Sequence, residues 1–381
     1  MRHVSERERE LPEALIGRML EIAVQRKDVI SLGPGEPDFP APKPIVAWTK
    51  KFAQFNHYSP PGGRKELKEA VVKKLRKENK IHCDSGNIVV TAGSQEALML
   101  ALQCTVDVNE QVLIPDPGFL GYTQSVELTD AVPVPFMLHE KNKWEIDPDD
   151  IRKAADRKKS HALIINSPAN PTGNVLSRKT LEEIADIAIE YDIYVFSDEA
   201  YEKIIYGKKH VSLASLNGME DYAITLQTFS KSYAMCGYRL GYCVAPKDIV
   251  QAMMKIHMYS TICAPTISQM VGAKALKMSS KHTQAMVKEY KRRRDLVVKR
   301  LNELGMHTVK PEGAFYAFAN IGNFSKDSFH FANTLLKKAK VAVVPGSEFG
   351  KNGEGYIRCS FATDYRLIEN AMSRIEKFLK A

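Results

Sequence analysis

The chain has 381 residues, 44% of them hydrophobic, and 54 Lys and Arg against 45 Asp and Glu for a net charge of +9. This is ordinary globular composition, long enough for two domains and too poor in Gly and Pro for a disordered or fibrous chain. Basic residues are dispersed and mixed with acids, so the positive balance reads as solvated surface, and no nucleic-acid partner is expected.

Met1–Glu10 is charged rather than apolar, which argues against a secretory leader. No apolar run reaches the ~18 residues of a membrane span, so no membrane association is expected. Leu11–Ala23 is amphipathic and is followed by a Gly33-Pro34-Gly35 turn. Buried strands are predicted at Ile88–Thr91, Val112–Pro115, Ala162–Asn166, Ile193–Ser197, Ala223–Gln227 and Leu240–Ala245. Helices are predicted at Gln95–Cys104, Arg178–Glu190 and Lys247–Met258. Such alternation predicts an α/β fold with a mostly parallel sheet flanked by helices. Lys281–Leu304 is a long helical pattern carrying the basic run Lys291–Arg294 and stopping at Gly305. Beyond it, strands at Ala314–Ala319, Val341–Val344 and Tyr356–Phe361 and helices at Ser325–Lys338 and Tyr365–Leu379 read as a smaller α+β domain. The expected division is 1–40 packing with the small domain, 41–280 as the large domain and 281–381 as the small one. The cysteines (83, 104, 236, 243, 263 and 359) form no C-x-x-C pair. Neither a metal centre nor dithiol chemistry is therefore expected, and reduced thiols fit a cytoplasmic protein.

Several polar clusters interrupt this pattern. Gly93-Ser94-Gln95 joins a strand to a helix start, where free N–H groups and the helix dipole suit an anion. Asn170-Pro171-Thr172-Gly173 is by itself a turn. Asp198 ends a buried strand, a place where α/β sheets present ligand-binding groups, although it also suits a helix cap. Lys231 follows another buried strand, with Thr228 and Ser230 before it and Arg239 eight residues on. Alone it would be a surface lysine. An arginine fork binds phosphate, and a lysine amine of lowered pKa condenses with aldehydes. Together they describe a ligand carrying both groups, pyridoxal 5′-phosphate (PLP). Arg358 interrupts a strand that should be apolar, which is costly unless the charge is paired.

The stretch Ser230-Lys231 to Gly237-Tyr238-Arg239-Leu240-Gly241, with the motifs from Gly35 to Arg358 in order, resembles the class I aminotransferases. The resemblance covers nearly the whole chain. It implies a PLP-dependent transferase that moves an α-amino group from an amino acid to a 2-oxo acid such as 2-oxoglutarate in a ping-pong cycle. Lys231 would hold PLP as a Schiff base and then serve as general base. Gly93, Ser94, Gln95, Ser230 and Arg239 would hold the phosphate, and Phe119 would stack on the ring. Asp198 would pair with the pyridine nitrogen, and Asn170 and Tyr201 would face the phenolic oxygen. Tyr58 would reach the phosphate of a neighbouring subunit, which makes the unit a homodimer. Arg358 would bind the substrate α-carboxylate beside Gly35 and Asn170.

A carbon–sulfur lyase or an eliminating synthase would share the cofactor residues. A PLP-binding regulator would need a DNA-binding domain, and the ~30 residues ahead of Gly33 are too few for one. The substrate stays open between aspartate, aromatic amino acids and a broad range. Met258–Pro265 contains no arginine, Gln95 stands where one branch of the family has lysine, and Ile16, Tyr259 and Tyr316 are candidates for an apolar side-chain pocket.

Overall fold

The computed structural model describes residues 4–5, 26 and 28–380. The amphipathic stretch Leu11–Ala23 and the pocket candidate Ile16 lie outside them. The central element is a seven-stranded sheet in the order β2-β8-β7-β6-β5-β3-β4. Its strands are β2 (Ile88–Thr91), β3 (Gln111–Asp116), β4 (Val132–Met137), β5 (Ser160–Asn166), β6 (Tyr194–Asp198), β7 (Ala223–Thr228) and β8 (Gly241–Val244). β8 runs antiparallel to both neighbours, and the other pairings are parallel. Alternate residues of β5 enter different cores: Leu163 and Ile165 pack on one face, Ala162 and Ile164 on the other. With helices on both faces, no alternate position needs to be polar, so these strands read as unbroken apolar runs.

β4 escaped the sequence reading. It carries Pro133 and Pro135, which lack ladder donors and are confined to sheet edges. Here the strand is indeed the edge, hydrogen-bonded only to β3. The helices Lys43–Phe52, Lys65–Lys74, Gly121–Glu127, Pro148–Ala154 and Thr266–Ala275 were also not anticipated.

The C-terminal part, from residue 281 on, is built on the helices Lys281–Glu303, Ser328–Ala339 and Tyr365–Lys380. They accompany a three-stranded antiparallel sheet of β9 (Tyr316–Asn320), β11 (Val344–Pro345) and β12 (Tyr356–Ser360). The expected single strand Val341–Val344 divides. β10 (Val341–Ala342) pairs in parallel with β1 (Ile30–Ser31), whereas Val344 turns to pair with Arg358. Ile30 and Leu32 are buried in one core with residues of all three C-terminal helices.

Candidate active site

A cavity of about 450 Å³ opens where the carboxyl ends of the central strands meet the C-terminal sheet. Every residue expected to hold the cofactor or the α-carboxylate lines it except Tyr58, and of the side-chain pocket candidates Tyr316 does and Tyr259 does not. Asp198 ends β6 and Lys231 follows β7 by three residues, so adjacent parallel strands deliver both to one edge.

The Lys231 segment is shaped by its hydroxyls. The Ser230 N–H donates to Thr228 Oγ1 at 3.1 Å, and that hydroxyl donates to Ser230 Oγ at 2.9 Å. The Lys231 ammonium donates to the Gly35 carbonyl at 2.6 Å. At the end of the turn Arg239 adopts φ +47°, and its guanidinium donates to the carbonyls of Cys236 and Ala92, both at 3.2 Å. Gly93 is required opposite it. Its φ is +92°, and a Cβ there would sit 2.7 Å from Arg239 Nη2. The helix Ser94–Thr105 starts at this point, so its free N–H groups and Arg239 converge with Ser230 on one end of the cavity. The Gln95 side chain turns away and donates to Ser125 Oγ at 3.0 Å, leaving its backbone as the relevant donor.

On the floor, Asp198 Oδ1 accepts from the Ala200 N–H at 3.1 Å and Oδ2 from the Tyr122 hydroxyl at 2.7 Å. Removal from water raises the Asp198 pKa, and the Tyr122 hydrogen bond opposes that rise. Asn166 couples this strand to the neighbouring turn: its Nδ2 donates to the Asp198 carbonyl at 2.9 Å, and its Oδ1 accepts from the Asn170 N–H at 2.8 Å. Phe119 lines the wall with its ring edge-on to Tyr122, 5.4 Å between centroids.

The far wall comes from the C-terminal sheet. Arg358 is 1% exposed. One Nη donates to Asn170 Oδ1 at 3.1 Å and the other to the Gly33 carbonyl at 2.6 Å. Its Nε has no partner, and none of the described residues supplies a carboxylate. Burial lowers its pKa. The guanidinium lies 4.4 Å over the Tyr316 ring. The Tyr201 and Tyr316 hydroxyls are 2.7 Å apart, and burial lifts the Tyr201 pKa well above its usual value. Gly35 is also held to glycine by proximity, because a Cβ would lie 2.8 Å from the Tyr316 hydroxyl.

Tyr58 is 78% exposed and Tyr259 is 92% exposed, and neither lines the cavity. Sequence reasoning missed Tyr122, Asn166 and the Tyr201–Tyr316 contact. The spacing Phe119-x-x-Tyr122 at a helix start was the available signal, since residues three apart share a helical face.

A family model described as aminotransferase class I and II matches residues 27–375. The chain is 47% identical over 371 residues to an aspartate aminotransferase of Pyrococcus abyssi, covering 96% of this chain and 95% of that one. It is 45% identical, with the same coverage, to aromatic-amino-acid aminotransferase 2 of Thermococcus litoralis. The aromatic aminotransferase structure from Pyrococcus horikoshii superposes with a TM-score of 0.91 at 46% identity, covering 96% of this chain and 98% of that one. Matches spanning nearly the whole chain at these identities place the protein in the class I and II aminotransferases, as a PLP-dependent enzyme.

Proposed function

We propose that the cavity holds PLP in one orientation and presents the amino acid to it from the Arg358 side. The observation that carries this reading is that Asp198, Lys231 and Arg358, each short of a full set of partners, open on one cavity. The residues fit the group. Arg239, Ser230 and the N–H groups of Gly93, Ser94 and Gln95 make a phosphate cradle, with Gly93 leaving room. Phe119 offers a ring face, Asp198 a carboxylate for the ring nitrogen, and Asn170 and Tyr201 flank the phenolic oxygen.

Bound PLP supplies a carbonyl that condenses with amines and a ring that takes up the electron pair left by a departing α-proton. With the group bound, Asp198 would favour a proton on the ring nitrogen, and Lys231 Nζ would take up the substrate α-proton as general base and hold it for return as general acid. Arg358 grips the α-carboxylate with both Nη groups, and Asn170 and Gly35 position it. The amino group then passes to a 2-oxo acid such as 2-oxoglutarate in a second half-reaction.

For the substrate we favour a range that includes aspartate or aromatic amino acids. Relatives carrying both names are similarly close. The side-chain end of the cavity is lined by Tyr316, and the cationic groups in the lining are Lys231, Arg239 and Arg358. A donor panel with 2-oxoglutarate tests this: activity confined to branched aliphatic donors would overturn it.

We further read the protein as a cytoplasmic homodimer with Tyr58 reaching the partner's site. No helix among the described residues is long and apolar enough to cross a membrane. Tyr58 and Tyr259 sit on joined segments: Thr266 Oγ1 donates to the His57 carbonyl, and His257 Nδ1 lies 2.9 Å from the Pro61 carbonyl. Exposed aromatic side chains on two contacting segments suit an interface. Mixing inactive Lys231→Ala with a weakened Tyr58→Phe variant should restore activity in hybrid dimers, and absence of restoration would refute the shared site. The same reading divides the chain into 41–280 and 281–381, with 1–40 joining the latter, and the β1–β10 pairing supports it.

A further inference from the structure

The Tyr122 hydroxyl has one proton and gives it to Asp198 Oδ2 at 2.7 Å. Tyr122 is 1% exposed and packs in one core with residues of β3, β5 and β7, while its hydroxyl end reaches the cavity. It belongs to the helix Gly121–Glu127, on a different element from Asp198. The other carboxylate oxygen is tied to the Ala200 N–H. Two fixed donors, one per oxygen, lock the plane of the carboxylate and leave one lone pair on each oxygen for a ligand.

Tyr122 makes a choice between two chemistries. A buried carboxyl group tends to keep its proton, and a neutral carboxyl cannot hold a cation on the opposing ring. A hydrogen bond donated to the charged form favours that form. We propose that Tyr122 is a positioning residue of the cofactor site: its phenolic proton, given to Asp198 Oδ2, keeps that carboxylate ionised and aimed, so that the proton resides on the PLP ring nitrogen. The inference rests on the reading of Asp198 as the partner of that nitrogen.

Removal of the hydroxyl makes Asp198 the stronger base of the pair. The shared proton then moves from ring nitrogen to carboxylate, and the ring becomes a poorer acceptor for the electron pair of the α-carbon. No additional reactant is needed. Only the location of one proton changes.

The test uses holoenzyme carrying PLP labelled with ¹⁵N in the ring. In Tyr122→Phe the ring-nitrogen shift should move from the protonated toward the neutral range. Apoenzyme titrated with PLP should show roughly tenfold weaker binding, the scale of one hydrogen bond to a charged group. The kcat should fall while KM for the amino donor stays within twofold. Tyr122→Phe should add little on an Asp198→Asn background, because the hydroxyl acts only through that carboxylate. Difluorotyrosine at position 122, a stronger donor of the same shape, should move the nitrogen signal the opposite way and serves if Tyr122→Phe folds poorly. An unchanged nitrogen shift in both variants, or effects that add in full to Asp198→Asn, overturns the inference alone. Asp198→Asn with wild-type nitrogen shift and PLP affinity overturns both the inference and the reading of Asp198.

Discussion

Two charged regions lie back to back inside this protein, separated by the end of β6, and they are built on opposite rules. Behind Asp198, each charged group faces an opposite charge, and the one buried polar atom of the network left without a hydrogen bond among the described residues is His210 Nδ1. Lys74 Nζ lies 2.5 Å from Glu202 Oε1 and donates to Asn79 Oδ1 at 2.8 Å. Asn79, Ser212 and Gln227 all donate to the carboxylates of Glu199 or Glu202. His210 Nε2 is 3.0 Å from Glu199 Oε2. Glu199, Glu202 and His210 have the spacing of a cation site, and the Lys74 ammonium bound to Glu202 brings the positive charge to it. In front, Asp198, Lys231 and Arg358 are within one cavity but make no ion pair with one another or with any other described residue. The same strand end serves both: Asp198 faces the cavity, and Glu199 faces the network. Desolvated charges that are fully matched hold a structure, whereas those left short of partners are poised for a ligand.

That contrast can be broken at four points. Lys231→Ala should reduce transamination by three orders of magnitude or more, as expected on loss of a general base that also anchors the cofactor. The check is steady-state kinetics together with the absorbance of lysine-bound PLP, and a normal spectrum and rate would sink the assignment. Lys74→Met should cost about 3–5 kcal/mol in denaturant unfolding, because it removes the cation in direct contact with the buried Glu202. In contrast to Lys231→Ala, the protein that remains folded should keep a near-normal KM for the amino donor.

Arg358→Gln reverses the pattern. Catalytic efficiency should fall by roughly two to three orders of magnitude through lost carboxylate binding, the scale of truncating one partner of a buried charge pair at about 2–5 kcal/mol. Unfolding stability should hold or rise, since the substitution relieves an under-paired buried cation. A loss of stability comparable with Lys74→Met would show that Arg358 is structural.

The smallest effect is a pH dependence in the paired region. Burial lowers the His210 pKa, but Glu199 and Glu202 outweigh burial and the repulsion of Lys74, so that it ends above the usual 6.5. A raised folded-state pKa means that protonated His210 stabilises the native state. The contribution is complete below pH 6.5 and is lost as pH rises through the folded pKa. The melting temperature should therefore decline across that alkaline window by a few degrees. His210→Gln should flatten the decline, and an unchanged profile would remove His210 from the account.

Much of this was readable in the chain. The central strands were legible because both sheet faces are covered, which leaves continuous apolar runs between turn residues. Lys231, Asp198, Asn170, Arg239 and Arg358 stood out as polar groups at the ends or interiors of such runs. β4 was hidden by its prolines, and Val341–Val344 appeared as one strand because both halves are apolar. Only their partners, β1 and β12, separate them.

The sequence by itself determined which residues carry chemistry and the type of sheet that presents them, because local pattern encodes burial and chain termination. Tertiary structure alone decided which oxygen of Asp198 meets Tyr122, that Tyr316 meets Tyr201, and that Glu199 belongs to a closed ionic network while Asp198 does not. The two hydroxyl contacts join residues 76 and 115 apart in the chain. Hydrogen-bond partnership depends on distances of a few tenths of an ångström, a precision that residue spacing along the chain does not contain.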